Sequence, residues 1–386
     1  MKYLNLYNEV KNIISDNYIF LDNQKYIWIN RVKCLEENLN DFKDEYSLIE
    51  ELLLTLKDPH TKYVKLNKDN EVYDIDCTWV EESLIIMPNI FRYKNNIVGG
   101  KILAVNDIDI DDIIKTVEEK LKGFPKSVIK EEVIKYIKTG LNTEVIYVKV
   151  NKNDNIKIEE IKRISIDEIK KNFTKELKEI QYNSKPIFVK EIENNILLIK
   201  IFSFRIQGLL EYILNKSDLI KKNKVLIFDI RNNRGGFIKE TKRIVSSIIE
   251  KDVELDYKIL SNEGLNNKNE KIEEEHNAIF SDKDIYIVCD EYTMSSAEFI
   301  FLSGLKKGYK NLKVIGNCTA GVSGQAKLFL LSSGDILQVT IKKYLDKKNR
   351  EINKGYTPDI IVKLDTEDYV NNNDKVIETI KLMYEL

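Results

Sequence analysis

Two apolar runs, KVLIFDI (224–230) and DIYIVCD (284–290), constrain the fold more than any other feature of this chain. Neither alternates apolar with polar residues, so each predicts a strand buried on both faces. Each is followed by a short polar turn and then by a segment of helical spacing: FIKETKRIVSSII after the first, SSAEFIFLSGLKKG after the second. Strands that alternate with helices in this way predict an α/β core with parallel pairing, starting near residue 186. ILLIKIFSF with GLLEYILNKS adds another strand and helix, and LKVIG a further strand. LFLLSSGDILQVTI reads as two strands around a Ser-Gly-Asp turn, and NDKVIETIKLMYEL as a closing helix.

The remainder of the chain has a different character. Over residues 1–57, Leu4, Tyr7, Val10 and Ile13–Ile14, and later Ile49, Leu52, Leu53 and Leu56, recur at helical spacing. The pattern stops at Asp58-Pro59, where proline supplies no backbone donor and disfavours helix before it. Residues 70–165 read as a separate small α/β module. Residues 165–187, with IDEIKKNF, read as a Lys/Glu-rich helical connector. The expected division is therefore 1–68, an N-terminal helical region; 69–165, the module; and 166–386, the core with its last helix.

Composition excludes several function classes. The 61 Lys+Arg and 63 Asp+Glu residues nearly cancel, so no positive surplus points to a nucleic-acid partner. No uncharged apolar run reaches the ~18 residues of a membrane span. The N-terminus lacks an apolar leader region and a small-residue cleavage site, so a cytoplasmic location is expected, or a secreted or envelope one where a leader has been removed. Four scattered cysteines form no CxxC pair, and neither a disulfide framework nor a zinc site is expected.

Three places carry residue types suited to chemistry. FDIRNNRGG ends a buried strand, where α/β sheets gather their sites, and Gly235-Gly236 frees backbone N–H groups to approach a ligand. Taken alone, it reads rather as a plain glycine turn closing the strand. In CDEYTMSSAEF a strand runs into paired serines at a helix start. Ser295 there lies near the positive end of a helix dipole, yet alone it suits a helix cap, with Glu298 completing a capping box. LKDPHTKY places His60, one of only two histidines, in a loop after an apolar helix. Histidine is the usual base for a serine nucleophile because it titrates near neutrality. The other, His276, sits in the acidic run IEEEHNA, reads as solvated and is discounted.

Taken together and in order, DPHT, DIRNNRGG, TMSSAEF, GNCTAG and GYTPDIIV resemble the motifs of the tail-specific (C-terminal processing) protease family and its tricorn-core relatives. The resemblance covers most of the chain. It implies a Clp-protease/crotonase-like α/β spiral core, and makes residues 69–165 a degenerate PDZ-like module. It further implies Ser295 as nucleophile, with the N–H of Ser296 and that of Gly235 or Gly236, Gly235 slightly favoured, as the oxyanion hole. The tail-specific branch takes a lysine as base at the position held here by Val322; the nearest lysine is Lys327. The tricorn-like branch takes a histidine from the segment matching KDPHT, which is His60, supported by a glutamate near the final PD motif. Glu351 is the nearest candidate, although the closest alignment puts Ile352 there.

The implied activity is a serine peptidase that cleaves unstructured peptide or polypeptide through an acyl-enzyme, with no metal or organic cofactor. Relatives range from monomers to large rings, so oligomer formation is left open. The rival reading is a non-catalytic member of the fold that binds a peptide or small ligand, which the loss of lysine at Val322 would suit. Retention of both Ser295 and His60 weighs against it. A third reading, acyl-CoA chemistry on a crotonase-like core, is disfavoured by the serine motif and the DPHT loop.

Overall fold

The computed structural model describes residues 4–19, 21–66, 71–87, 97–141, 143–165, 187–193, 195–352, 354–371 and 373–385. The connector expected at 165–187 lies almost wholly outside the described residues. The chain begins with three helices, α1 (Leu4–Asn17), α2 (Leu21–Glu37) and α3 (Glu45–Leu54). Asp44 and Ser47 cap the start of α3 reciprocally, side chain to backbone in both directions. The apolar faces of these helices bury Tyr7, Ile14, Ile49 and Leu52 together with Leu337 and Val339. That contact fixes where the following loop and β1 (Lys62–Val64) emerge.

Next come β2 (Glu71–Tyr73), β3 (Cys77–Val80), β4 (Ser83–Ile86), β5 (Lys101–Val105), β6 (Ile108–Asp109), β7 (Val145–Lys152) and β8 (Asn155–Ser165), with α4 (Ile110–Lys120) and α5 (Lys126–Thr139). They form one antiparallel sheet in the order β2-β8-β7-β5-β4-β3, with β6 on β5. Ile102, Val133, Ile137, Ile146 and Val148 fill a core of its own between sheet and helices.

The remaining strands are β9 (Ile187–Glu193), β10 (Ile196–Ile201), β11 (Val225–Asp229), β12 (Val253–Ser261), β13 (Gly264–Ile272), β14 (Asp284–Cys289), β15 (Leu312–Gly316), β16 (Gln325–Leu330), β17 (Ile336–Leu345) and β18 (Ile360–Ile361). One sheet runs β18-β15-β14-β11-β10-β9 and is parallel except at β9. The apolar run in β11 is explained by what covers its faces. Leu226 and Phe228 point into the large core with Phe301 and Ile244, while Val225 and Ile227 pack with Val376, Ile377 and Ile380 of the last helix (Lys375–Glu385). The second sheet is antiparallel: β1 and β12 share one edge of β17, β13 follows β12, and β16 lies on the other edge. The fold is α/β. Among the described residues, no helix is long and apolar enough to cross a membrane, and no group of three or more metal-ligating side chains gathers.

Candidate active site

Ser295 sits on a strained turn between β14 and a helical segment. Its φ is +58°, a left-handed conformation that costs a residue with a Cβ about 1–3 kcal/mol. The turn is held on both sides: Thr293 Oγ1 donates to the Ile230 carbonyl (2.9 Å), Met294 N–H to the Asn233 carbonyl (3.1 Å) and Ser295 N–H to the Val322 carbonyl (3.2 Å). Ala297–Leu302 then form a fully buried π-helical turn, a rare geometry that collects at functional sites. The helix-cap alternative fails here. Ser296, not Ser295, occupies the cap position, without a side-chain cap bond, and Glu298 turns away from it. Among the described residues, Ser295 Oγ makes no hydrogen bond.

The DIRNNRGG turn is built around Asp229, the last residue of β11. Burial pushes its carboxyl up, but Arg231 and Lys200 outweigh burial and hold it well below the usual carboxylate range. Arg231 binds Asp229 through Nε (3.0 Å) and Nη2 (2.7 Å), and reaches Asp374 through Nη1 (3.1 Å) and Nη2 (2.6 Å). Asn233 then shapes the glycines. Its amide donates to the Ile201 carbonyl, and its Oδ1 accepts the Gly235 N–H, both at 2.9 Å. The Gly235 donor is thus engaged, while among the described residues the N–H groups of Gly236 and Ser296 have no partner. Gly235 is obligatory for close approach: at φ +79°, a Cβ there would lie 2.8 Å from both Ser295 Cβ and the Ser296 nitrogen.

His60 enters from the loop after α3. Asp58 Oδ1 accepts its N–H (2.9 Å) and Oδ2 accepts the Thr61 hydroxyl (2.7 Å). From β17, Gln338 Nε2 donates to the His60 carbonyl (2.7 Å) and the Thr340 N–H to Thr61 Oγ1 (3.0 Å). The ring lies against Gly324, where a Cβ would be 3.8 Å from Nδ1. Ser295 and His60 therefore flank one three-residue segment, Val322–Gly324. Burial lowers the imidazole pKa below its ordinary value; the Asp58 carboxylate opposes this, and Lys62, Arg205 and Lys343 reinforce it. The ring is neutral at pH 7, the state a proton acceptor requires.

Glu298, expected only as a capping residue, is buried and anchors two distant loops. Its carboxylate accepts from Thr319 Oγ1 (2.6 Å), Gly321 N–H (3.1 Å) and Tyr356 N–H (3.2 Å). The Thr319 and Tyr356 contacts explain why GNCTAG and GYTPD accompany the serine motif. Burial pushes its pKa up to about 7 against these three donors. We expect Glu298→Gln to lower activity about 10–100-fold, since its amide N–H₂ meets donors where the carboxylate accepted. The pH sign follows from the raised folded-state pKa. Glu298 contributes stability below the carboxylate's ordinary pKa that is lost as pH rises towards 7. Thermal melts from pH 4 to 8 should show that slope in the native protein and a flatter one in Glu298→Gln.

Glu351 pairs with Lys343, whose charge acts on His60. Val322 is buried, and Lys327 lies exposed on β16 with its ammonium over the Phe329 ring (5.0 Å). His276 is half-buried and hydrogen-bonded rather than free in solvent, contrary to the reading of its acidic run. Its ring nitrogens meet the carbonyls of Ile248 and Ile249 (both 3.1 Å) and Ser281 Oγ (2.9 Å), a structural tie that leaves it without a role at Ser295. Beside the site, Phe237, Tyr257, Gln325 and Tyr344 help line an open groove of about 840 Å³.

Comparison with known proteins places this geometry. Residues 195–362, which carry Ser295, the glycine turn and Glu298, match peptidase family S41. The chain carries a serine-peptidase domain of that family. It is 25% identical over 405 aligned positions to a probable CtpA-like serine protease of Staphylococcus aureus (strain COL), covering 95% of this chain and 74% of that one. Mature CPAF complexed with lactacystin shares the fold, with a TM-score of 0.74 at 13% identity over 99% of this chain and 98% of that one. So does the photosystem II D1 C-terminal processing protease, at 0.55 and 16% over 97% and 98%. Peptides or proteins are thus the peptidase's substrates. His60 lies outside the S41 match and is brought to the core by the α3 loop.

Proposed function

We propose that this peptidase is an endopeptidase cleaving unstructured peptide or polypeptide, with Ser295 as nucleophile and His60 as general base. The observation that carries this reading is the shared segment Val322–Gly324: its first carbonyl holds the Ser295 N–H and its last residue backs the His60 ring. Proton transfer from Ser295 to His60 lets Oγ attack the scissile carbonyl, and the imidazolium then protonates the leaving amine. Ser296 N–H supplies one oxyanion donor and Gly236 the other, in preference to Gly235, whose N–H is spent on Asn233. Each donor contributes roughly 3 kcal/mol in the transition state. Glu351 acts as a distant support by pairing with Lys343.

An extended substrate fits the free edge of β16, which begins beside Gly324 and makes no backbone hydrogen bonds outward among the described residues. In this reading residues 166–386 perform the chemistry together with His60 from the 1–68 region, and the PDZ-like 69–165 module presents the substrate. A fluorophosphonate probe tests the assignment. Adduct at Ser295 is expected in the native protein and in Lys327→Ala, and none in His60→Ala. Labelling that survives His60→Ala but fails in Lys327→Ala would make lysine the base, and a folded protein that never labels would sink the assignment of Ser295.

A further inference from the structure

Among the described residues, two cations beside the site, Arg205 and Lys62, form no ion pair. Arg205 follows β10 and its backbone is pressed on the glycine turn: a Cβ on Gly236 would lie 2.3 Å from the Arg205 nitrogen, and Phe204 bridges Gly236. Ser203 Oγ accepts the Arg205 N–H (3.1 Å), fixing where the exposed side chain departs. Lys62 stands two residues beyond His60 on β1, opposite Gln338, the residue that holds the His60 carbonyl. The charges of Lys62 and Arg205 both act on His60, and that of Arg205 acts on Lys62.

Other cations around them are matched. Arg234 pairs with Glu131 (2.6 Å), Lys135 with Glu132 (2.7 Å) and Lys343 with Glu351. Among the described residues, no acid forms an ion pair with Lys62 or Arg205. The charge of Glu131 reaches Lys62, but that carboxylate is bound to Arg234. Two like charges held together with no carboxylate bonded to either are unfavourable, and an anion shared between them removes that penalty. Arginine's planar fork suits a carboxylate, and lysine adds a point charge.

We propose that Arg205 and Lys62 form an anion subsite that receives a substrate carboxylate near the scissile bond. The proposal rests on the Ser295 reading for its place in the reaction. The carboxylate belongs either to an Asp or Glu side chain or to the free end of the chain; at ~3.3 Å per extended residue, it lies within a few residues of the cut.

The test uses the full chain and synthetic peptides spanning a cleavage site mapped in casein. Each peptide is made with Glu or Gln at positions flanking the cut, and with a free or amidated C-terminus. We expect the carboxylate-bearing form to show KM about 10-fold lower than its uncharged counterpart. Arg205→Gln and Lys62→Gln should each remove most of that preference, in KM. If the preference follows Glu against Gln, the anion is a side chain; if it follows amidation, it is the chain end. Equal KM in both comparisons overturns the proposal. So does a Lys62→Gln protein whose kcat falls on every peptide while KM holds, because Lys62 then serves proton transfer. Binding of the same peptides to Ser295→Ala, read by fluorescence anisotropy, separates the two readings. An acidic preference there that Arg205→Gln abolishes upholds the subsite even if Ser295 proves not to be the nucleophile.

Discussion

Replacing Ser295 with alanine is expected to lower peptide hydrolysis by roughly 10⁵–10⁶-fold, with the fold intact. The loss is this large because, in the proposed mechanism, the hydroxyl is the attacking atom and no neighbour replaces it. The effect on stability should be far smaller and should depend on the replacement. At φ +58° a Cβ is strained whether or not it carries oxygen, so Ser295→Ala should melt near the native temperature. Ser295→Gly removes the strain and should raise stability by about 1 kcal/mol while remaining inactive. Steady-state hydrolysis and thermal melts of both variants check this pairing. A glycine variant that melts below the alanine variant would contradict the strain.

Replacing His60 with alanine should cost about 10⁴–10⁶-fold, since nucleophile and base act as one unit and losing either is nearly as severe as losing both. The pH profile gives a sharper test. A neutral imidazole is the active form, so activity is present above the His60 pKa and lost as pH falls through it. Burial, then Lys62, Arg205 and Lys343, lower that pKa against Asp58, so the acid limb should lie below histidine's ordinary value of 6.5. Lys343→Met should move the limb to higher pH, and Asp58→Asn to lower pH. A limb that Lys343→Met leaves in place would argue that another group titrates there.

Much of this site could be read from the chain because its elements are local. A buried strand ending in DIRNNRGG and a serine pair at a helix start occupy short stretches, and the two-sided burial of β11 is visible as an unbroken apolar run. What stayed hidden depends on distance. Glu298 looks like a capping residue until Thr319 and Tyr356, some 20 and 60 residues on, are seen donating to it. The choice between Gly235 and Gly236 turns on the rotamer of Asn233, which no pattern reports. His276 looked solvated because its neighbours are acidic, yet the carbonyls that meet it lie near residue 248. The β12–β13 hairpin escaped notice because GLNNKNEKI carries polar residues on both faces of an edge strand. Val322 is legible for the opposite reason: a missing lysine shows in the sequence itself and leaves His60 as the base that the resemblance offers.

The clamp from Asp229 through Arg231 to Asp374 has a consequence in time. Arg231 begins the turn that carries the glycine donors, and its second carboxylate partner is made 143 residues later. A ribosome delivers Ser295, His60 and both glycines well before it delivers Asp374. Until then Arg231 has Asp229 alone, and the face of β11 that the last helix covers is bare. On the proposed assignment, the growing chain therefore carries every reacting group before its turn is braced by Asp374.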